Sequence, residues 1–387
     1  MPSRHGHPRW GLAVVAAFAA ACNSTTAPPQ AHLADPQQLS SDVQTVLGVL
    51  QSNVFESFGV VSTDTGSPAA VATPAGALLG VAPFTVPRSS SQPYADAPRR
   101  LQALRRAAGA LGSGISASVI PPQYLGQTFV WDDATHKYVV GPDAGPSNGV
   151  RIILYALNPV TGAVAEPSSA VGFADLLDES TTSPAVNKLH VIVKDGTPAS
   201  PGPVTYADYS VSGSVTGSPP TAFTASAIGF VSDGTHTLSF DATFSATNLT
   251  TDNPDAQIDV TWDLDNPVIH VVLHETLATS DANHLAVTID FSVTRGTETV
   301  SVTGTVLVVL SPPAVTANLS ITVNGVAYAR ITGTANATSN DIVRRHADGS
   351  AVSAAEDQAL YDLFLLPLEM EIAIESLFNP SQHLMGG

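Results

Sequence analysis

The residues best placed to do chemistry lie in the run His270-Val-Val-Leu-His274-Glu275. In an extended strand, positions i and i+4 share a face, so both imidazoles lie on the side away from Ile269, Val271 and Leu273. Pairing 256–265 with 268–278 as a hairpin, apolar faces matched, sets Leu264 against Ile269. That register puts Asp263 opposite His270 and Asp259 opposite His274. Two imidazoles, each with a carboxylate partner, read as a surface metal site built from His270, His274, Asp259 and Asp263, or as a pH-sensitive cluster. The plainer reading is a pair of cross-strand charge contacts worth about 0.2–1 kcal/mol each, because no closed set of three or four ligands converges. Continuing the register one strand further brings Ser292 near His270, a Ser-His-Asp line. A flat solvated sheet, however, offers neither a strained nucleophile turn nor backbone oxyanion donors.

Other chemical signatures are missing from the sequence. There is no His-Glu-x-x-His, no phosphate-binding glycine loop and no second cysteine. Asp252, Asp255, Asp259, Asp263 and Asp265 lack the Gly and Glu of a calcium loop and read as a solvated face. No cofactor is implied, and the chain reads as non-enzymatic. Arg99, Arg100, Arg105 and Arg106 concentrate positive charge in an acidic protein. They read as an intramolecular match to the acidic sheet, or as an anchor onto lipid heads or a lid over an acidic ligand.

The elements that must position these residues are mostly strands. From about Gln127 to Ala335 hydrophobicity alternates with period two. Residues 256–265 place Ile258, Val260, Trp262 and Leu264 on one face and Asp259, Thr261, Asp263 and Asp265 on the other. Residues 284–295 oppose Leu285, Val287, Ile289, Phe291 and Val293 to His284, Thr288, Asp290 and Ser292. Such alternation means strands with one face buried and one wet. Turn signals recur at Asn148-Gly149, Asp195-Gly196, Asp233-Gly234, Asn266-Pro267, Arg295-Gly296 and Asn324-Gly325, the last a type I′ hairpin. The expected fold is mainly β: a long antiparallel meander of on the order of 12–14 strands, as a curved sheet, open barrel or sandwich, with N-terminal and C-terminal amphipathic helices. A first helix is expected over 35–58, N-capped by Asp35 with Pro36 at its first position. A second is expected over 98–111. Near the C-terminus, Ser353 and Glu356 form a capping box for a third helix with a kink at Pro367.

The first 22 residues show the parts of a secretory signal. Arg4 and Arg9 form a positive start, and Trp10 to Ala21 carries no charge. Twelve helical residues reach about 18 Å, short of the ~30 Å hydrocarbon core. Ala19, Ala20 and Ala21 then lead into Cys22, the only cysteine. Here the chain resembles bacterial lipoproteins, with Ala19 where that family more often has Leu. The resemblance implies lipidation of Cys22, which becomes the new N-terminus. With Asn23 next, it also implies sorting to the outer membrane. The organisation expected is a signal peptide over 1–21, a lipidated tether over 22–34, a helical segment with a Pro/Ser/Ala-rich linker over 35–112, an antiparallel β domain over 113–340, and a C-terminal helix packing on it over 341–387.

Removing residues 1–21 takes away two arginines and no acid, leaving 13 Lys+Arg against 33 Asp+Glu and a formal charge of −20. That balance excludes nucleic acid as a partner and disfavours docking on anionic lipid heads. With one cysteine, no disulfide forms within the chain. Strands of this kind also resemble outer-membrane barrels, but aromatics at 6% are too few for two girdles. Two functions follow as expectations. One is a membrane-anchored, non-enzymatic binding or structural scaffold for a protein or glycan partner. The other is a carrier or chaperone for a hydrophobic, lipid-like ligand, since a one-sided sheet with amphipathic helices is similar in architecture to periplasmic lipoprotein carriers. The small residues from Ala222 to Gly229, with Ala242, leave room for such a ligand.

Overall fold

The fold is taken from a computed structural model, which describes residues 31–49, 94, 119–158, 163–183, 185–251, 254–281 and 283–367. The signal peptide, Cys22, the expected helix over 98–111 with its arginines, Asp252, and the helix faces beyond residues 49 and 367 lie outside them.

The chain is mainly β. Its strands are β1 (Gln127–Asp132), β2 (Lys137–Ala144), β3 (Gly149–Tyr155), β4 (Ala170–Asp178), β5 (Thr181–Thr182), β6 (Ala185–Thr197), β7 (Ser200–Thr216) and β8 (Ala222–Ser232). There follow β9 (Thr237–Thr247), β10 (Asp255–Asp265), β11 (Val268–Asp281), β12 (His284–Arg295), β13 (Glu298–Leu310), β14 (Pro313–Val323), β15 (Val326–Asn336) and β16 (Val343–His346). All sixteen belong to one sheet, two more than the upper expectation. From β6 to β16 each strand pairs with its sequence neighbour, so this stretch is an uninterrupted antiparallel meander. The start departs from it: β1 runs parallel to β3 and carries β2 on its other side. β2 and β16 are the two ends of the strand order, so the sheet does not close. Both ends suit an edge. β2 contains Gly141 and Pro142, and β16 has four residues, two of them arginine.

Alternation is kept along the meander. On β12, Leu285, Val287, Ile289, Phe291 and Val293 are buried, while Thr288 and Asp290 are exposed. The buried face from β3 to β15 forms one hydrophobic core, with Trp262, Tyr209, Phe223, Phe291 and Tyr328 among its largest fully buried side chains. A bilayer-spanning barrel needs the reverse polarity, apolar outside. Here the solvated face carries Asp259, Asp263, Asp290 and two histidines. The Asn324-Gly325 turn has the two positive φ values of its type, 49° and 77°.

Two helices pack on the apolar face. α1 (Pro36–Gly48) begins as expected: Asp35 accepts a bond from the Gln38 N–H at 3.0 Å, and Pro36 follows it. Leu39, Val43, Val46 and Val49 enter the core. α2, described over 354–367, is started by the capping box, with Ser353 N–H on Glu356 (2.8 Å) and Glu356 N–H on Ser353 Oγ (3.3 Å). It buries Leu360, Leu363 and Phe364. The helices meet where Ser40 donates to Asp362. Tyr94 joins them from within the linker, fully buried and bonded through its hydroxyl to the Phe364 carbonyl at 3.1 Å. Neither described helix is long and apolar enough to cross a membrane.

Candidate functional site

β10 and β11 pair with Leu264 opposite Ile269, Asp263 opposite His270 and Asp259 opposite His274. The apolar residues fix this register, since a one-residue slip would turn every one of them to water. Each histidine meets its carboxylate through Nδ1 at 2.6 Å. Gln257 Nε2 holds the other Asp259 oxygen at 2.6 Å. All four side chains are about half exposed.

The two pairs do not converge. His270 and His274 are four residues apart along one strand, about 13 Å. Each pair by itself offers two ligands, and among the described residues no group of three or more His, Cys, Asp or Glu is placed to hold one ion. On the next strand Asp290 stands opposite His274, but Thr294, not Ser292, stands opposite His270. Ser292 faces Val272. The register set by the turn at Asp281–His284 therefore puts Ser292 two residue pairs away from the expected Ser-His-Asp line. Among the acids read as solvated, Asp255 accepts from Asn248 Nδ2, and Asp265 from the Thr237 N–H, tying turns.

The same pairing runs through the molecule. His136, His190, His236, His284 and His346 each also lie within ion-pair distance of a carboxylate. His190 is the most enclosed of the bonded set: Nδ1 meets Glu179 at 3.0 Å and Nε2 meets Asp208 at 2.7 Å. Both ring nitrogens are thus engaged by carboxylates, one on each side of the ring. Lys188 and His190 together hold the Glu179 carboxyl below its ordinary value. His190 had a sequence signal, outward parity between Leu189 and Val191. Its partners come from a loop and a neighbouring strand, which periodicity alone does not bring together.

Glu275 carries a second missed signal. It has the inward parity of Leu273 and Leu277, and it is fully buried, opposite Ile258 on β10 and Ile289 on β12. A carboxylate at such a position is costly unless it is paired.

The small residues of β8 and β9 are filled over at one point. Gly229 has φ +148°, and a Cβ there would come within 2.2 Å of the Asp208 carbonyl oxygen. Tyr209 and Phe240 flank it across the sheet, their ring centroids 5.8 Å apart. No family model, curated protein or solved structure matches the chain.

Proposed function

We propose that this protein is an exported lipoprotein, anchored in the outer membrane through Cys22, that works as a non-enzymatic binding scaffold. Its solvated sheet face is the surface offered to a protein or glycan partner. The observation that carries this reading is the division of labour within the strands. One face is spent on a core closed by α1 and α2, and the other presents regular rows of Asp, His, Thr and Ser on a rigid frame. The histidine–carboxylate pairs belong to that frame as separate cross-strand contacts. The sheet is proposed to curl around its apolar face as an open barrel.

A second reading, a carrier for a lipid-like ligand, is favoured by one observation. Both amphipathic helices lie on the sheet's apolar face, where a ligand could take their place. Native mass spectrometry of the mature protein bearing Cys22→Ala, made in a bacterial periplasm, separates the two. The scaffold reading expects a bare protein mass, whereas a co-purifying lipid-sized mass would make the carrier reading the better one.

A further inference from the structure

The N-terminus of α1 is fixed at one particular end of the sheet. Arg295, at the β12–β13 turn, reaches Asp42 through Nη1 at 3.0 Å, the Asp35 carbonyl through Nη2 at 3.0 Å, and Glu298 through Nε and Nη2. The Ala34 N–H donates to Glu298 Oε1 at 2.7 Å, and Leu33 is buried beside it. Asp42, Glu298 and Arg295 are nearly buried, so this clasp is shielded from solvent and salt. Residue 34 is therefore pinned at the end of the meander that also carries the β8–β9, β10–β11 and β14–β15 turns.

We infer that this end of the sheet faces the lipid bilayer and that the opposite turns, those at 217–221 and 311–312 among them, point away from it. The inference rests on lipidation of Cys22. Eleven residue steps separate Cys22 from Leu33 and span at most about 40 Å. The 14-residue β11 is itself about 45 Å long. If the far end met the bilayer, the tether would have to run fully stretched along the whole sheet and forfeit its conformational entropy. Two turns on either side of the clasp also carry exposed apolar residues, Val268 (74% exposed) and Val326 (39%). The far end has Leu310 at the β13–β14 turn (41%). The path of the chain, rather than apolar content, thus distinguishes the two ends.

The test uses the full lipidated protein in phosphatidylethanolamine–phosphatidylglycerol vesicles containing a headgroup-borne nitroxide quencher. A fluorophore is placed at Thr235→Cys on the clasp end or at Ser311→Cys on the far end, both exposed turn residues. Quenching several-fold stronger at 235 than at 311 is expected. Equal quenching, or stronger quenching at 311, overturns the orientation. Failure of the protein to float with the vesicles overturns the lipid-anchor reading itself, an outcome read before any quenching is measured.

Discussion

The two faces of β10 and β11 share one backbone, one register and one set of hydrogen bonds, yet they are held to different standards. Inward, Ile258, Val260, Trp262 and Leu264 pack against Ile269, Val271 and Leu273, and all seven are buried. Outward, Asp259 and Asp263 meet His274 and His270 in half-exposed pairs. A buried aliphatic side chain contributes about 1.5–3 kcal/mol by leaving water. An exposed ion pair contributes about 0–1 kcal/mol. The fold is therefore insensitive to much of what happens on the outer face.

The largest effect should come from Trp262→Ala. The indole is 2% exposed, and removing it leaves a cavity in the middle of the core. A loss of about 3–5 kcal/mol is expected in denaturant unfolding. Asp263→Ala, one residue away on the other face, should lose no more than about 1 kcal/mol. Because the indole N–H meets no acceptor among the described residues, Trp262→Phe should cost much less than Trp262→Ala. Comparable losses for Trp262→Ala and Asp263→Ala would dissolve the distinction between the faces.

Gly229→Ala probes the inner face through the backbone. The added methyl would meet the Asp208 carbonyl and Tyr209 Cα, at 2.2 and 2.4 Å, in a φ that side chains rarely adopt. A loss of about 1–3 kcal/mol is expected by the same measurement.

Acid should act on the polar parts of the molecule before it acts on the apolar core. Glu179 is held below its ordinary value by Lys188 and then His190, and Asp357 by Arg344. Burial opposes the shift at Asp233, but bonds from His236 and the backbone still hold it low. A carboxyl lowered on folding contributes stability that is fully present above its unfolded value, about 4, and is lost as pH falls through the folded value. The melting temperature should therefore drop as pH goes below about 5, and the drop should be shallower in Glu179→Gln. An unchanged slope in that variant would move the acid sensitivity elsewhere.

Local pattern made much of this legible in the sequence. Matching Leu264 to Ile269 gave the β10–β11 register, because parity chose the buried faces and the short Asn266-Pro267 turn chose among the registers that keep them. Asp35, Ser353 and Glu356 marked helix starts through cap chemistry that acts within four residues. Long-range placements were not legible. Nothing in β1 announces a parallel partner in β3, and nothing at Tyr94 announces the Phe364 carbonyl 270 residues away. Glu275 was visible to a strict parity count but stood out only as part of a histidine cluster, and the Ser292 line failed because turn geometry, not hydrophobicity, sets the next register.

The smallest expected effect is the most informative about the outer face. His270→Ala and His274→Ala should each lose about 0.2–1 kcal/mol, and a double-mutant cycle between His270→Ala and Asp263→Ala should return a coupling in the same range. The coupling should shrink as salt is raised, since both partners are half exposed and screened. His270→Ala combined with His274→Ala should be additive, because the two pairs stand about 13 Å apart and share no partner. Strong non-additivity between the histidines would mean that something joins the two pairs across that gap. A divalent ion is the simplest such link, and repeating the cycle in a chelator would then have to abolish the coupling for a metal to be the cause.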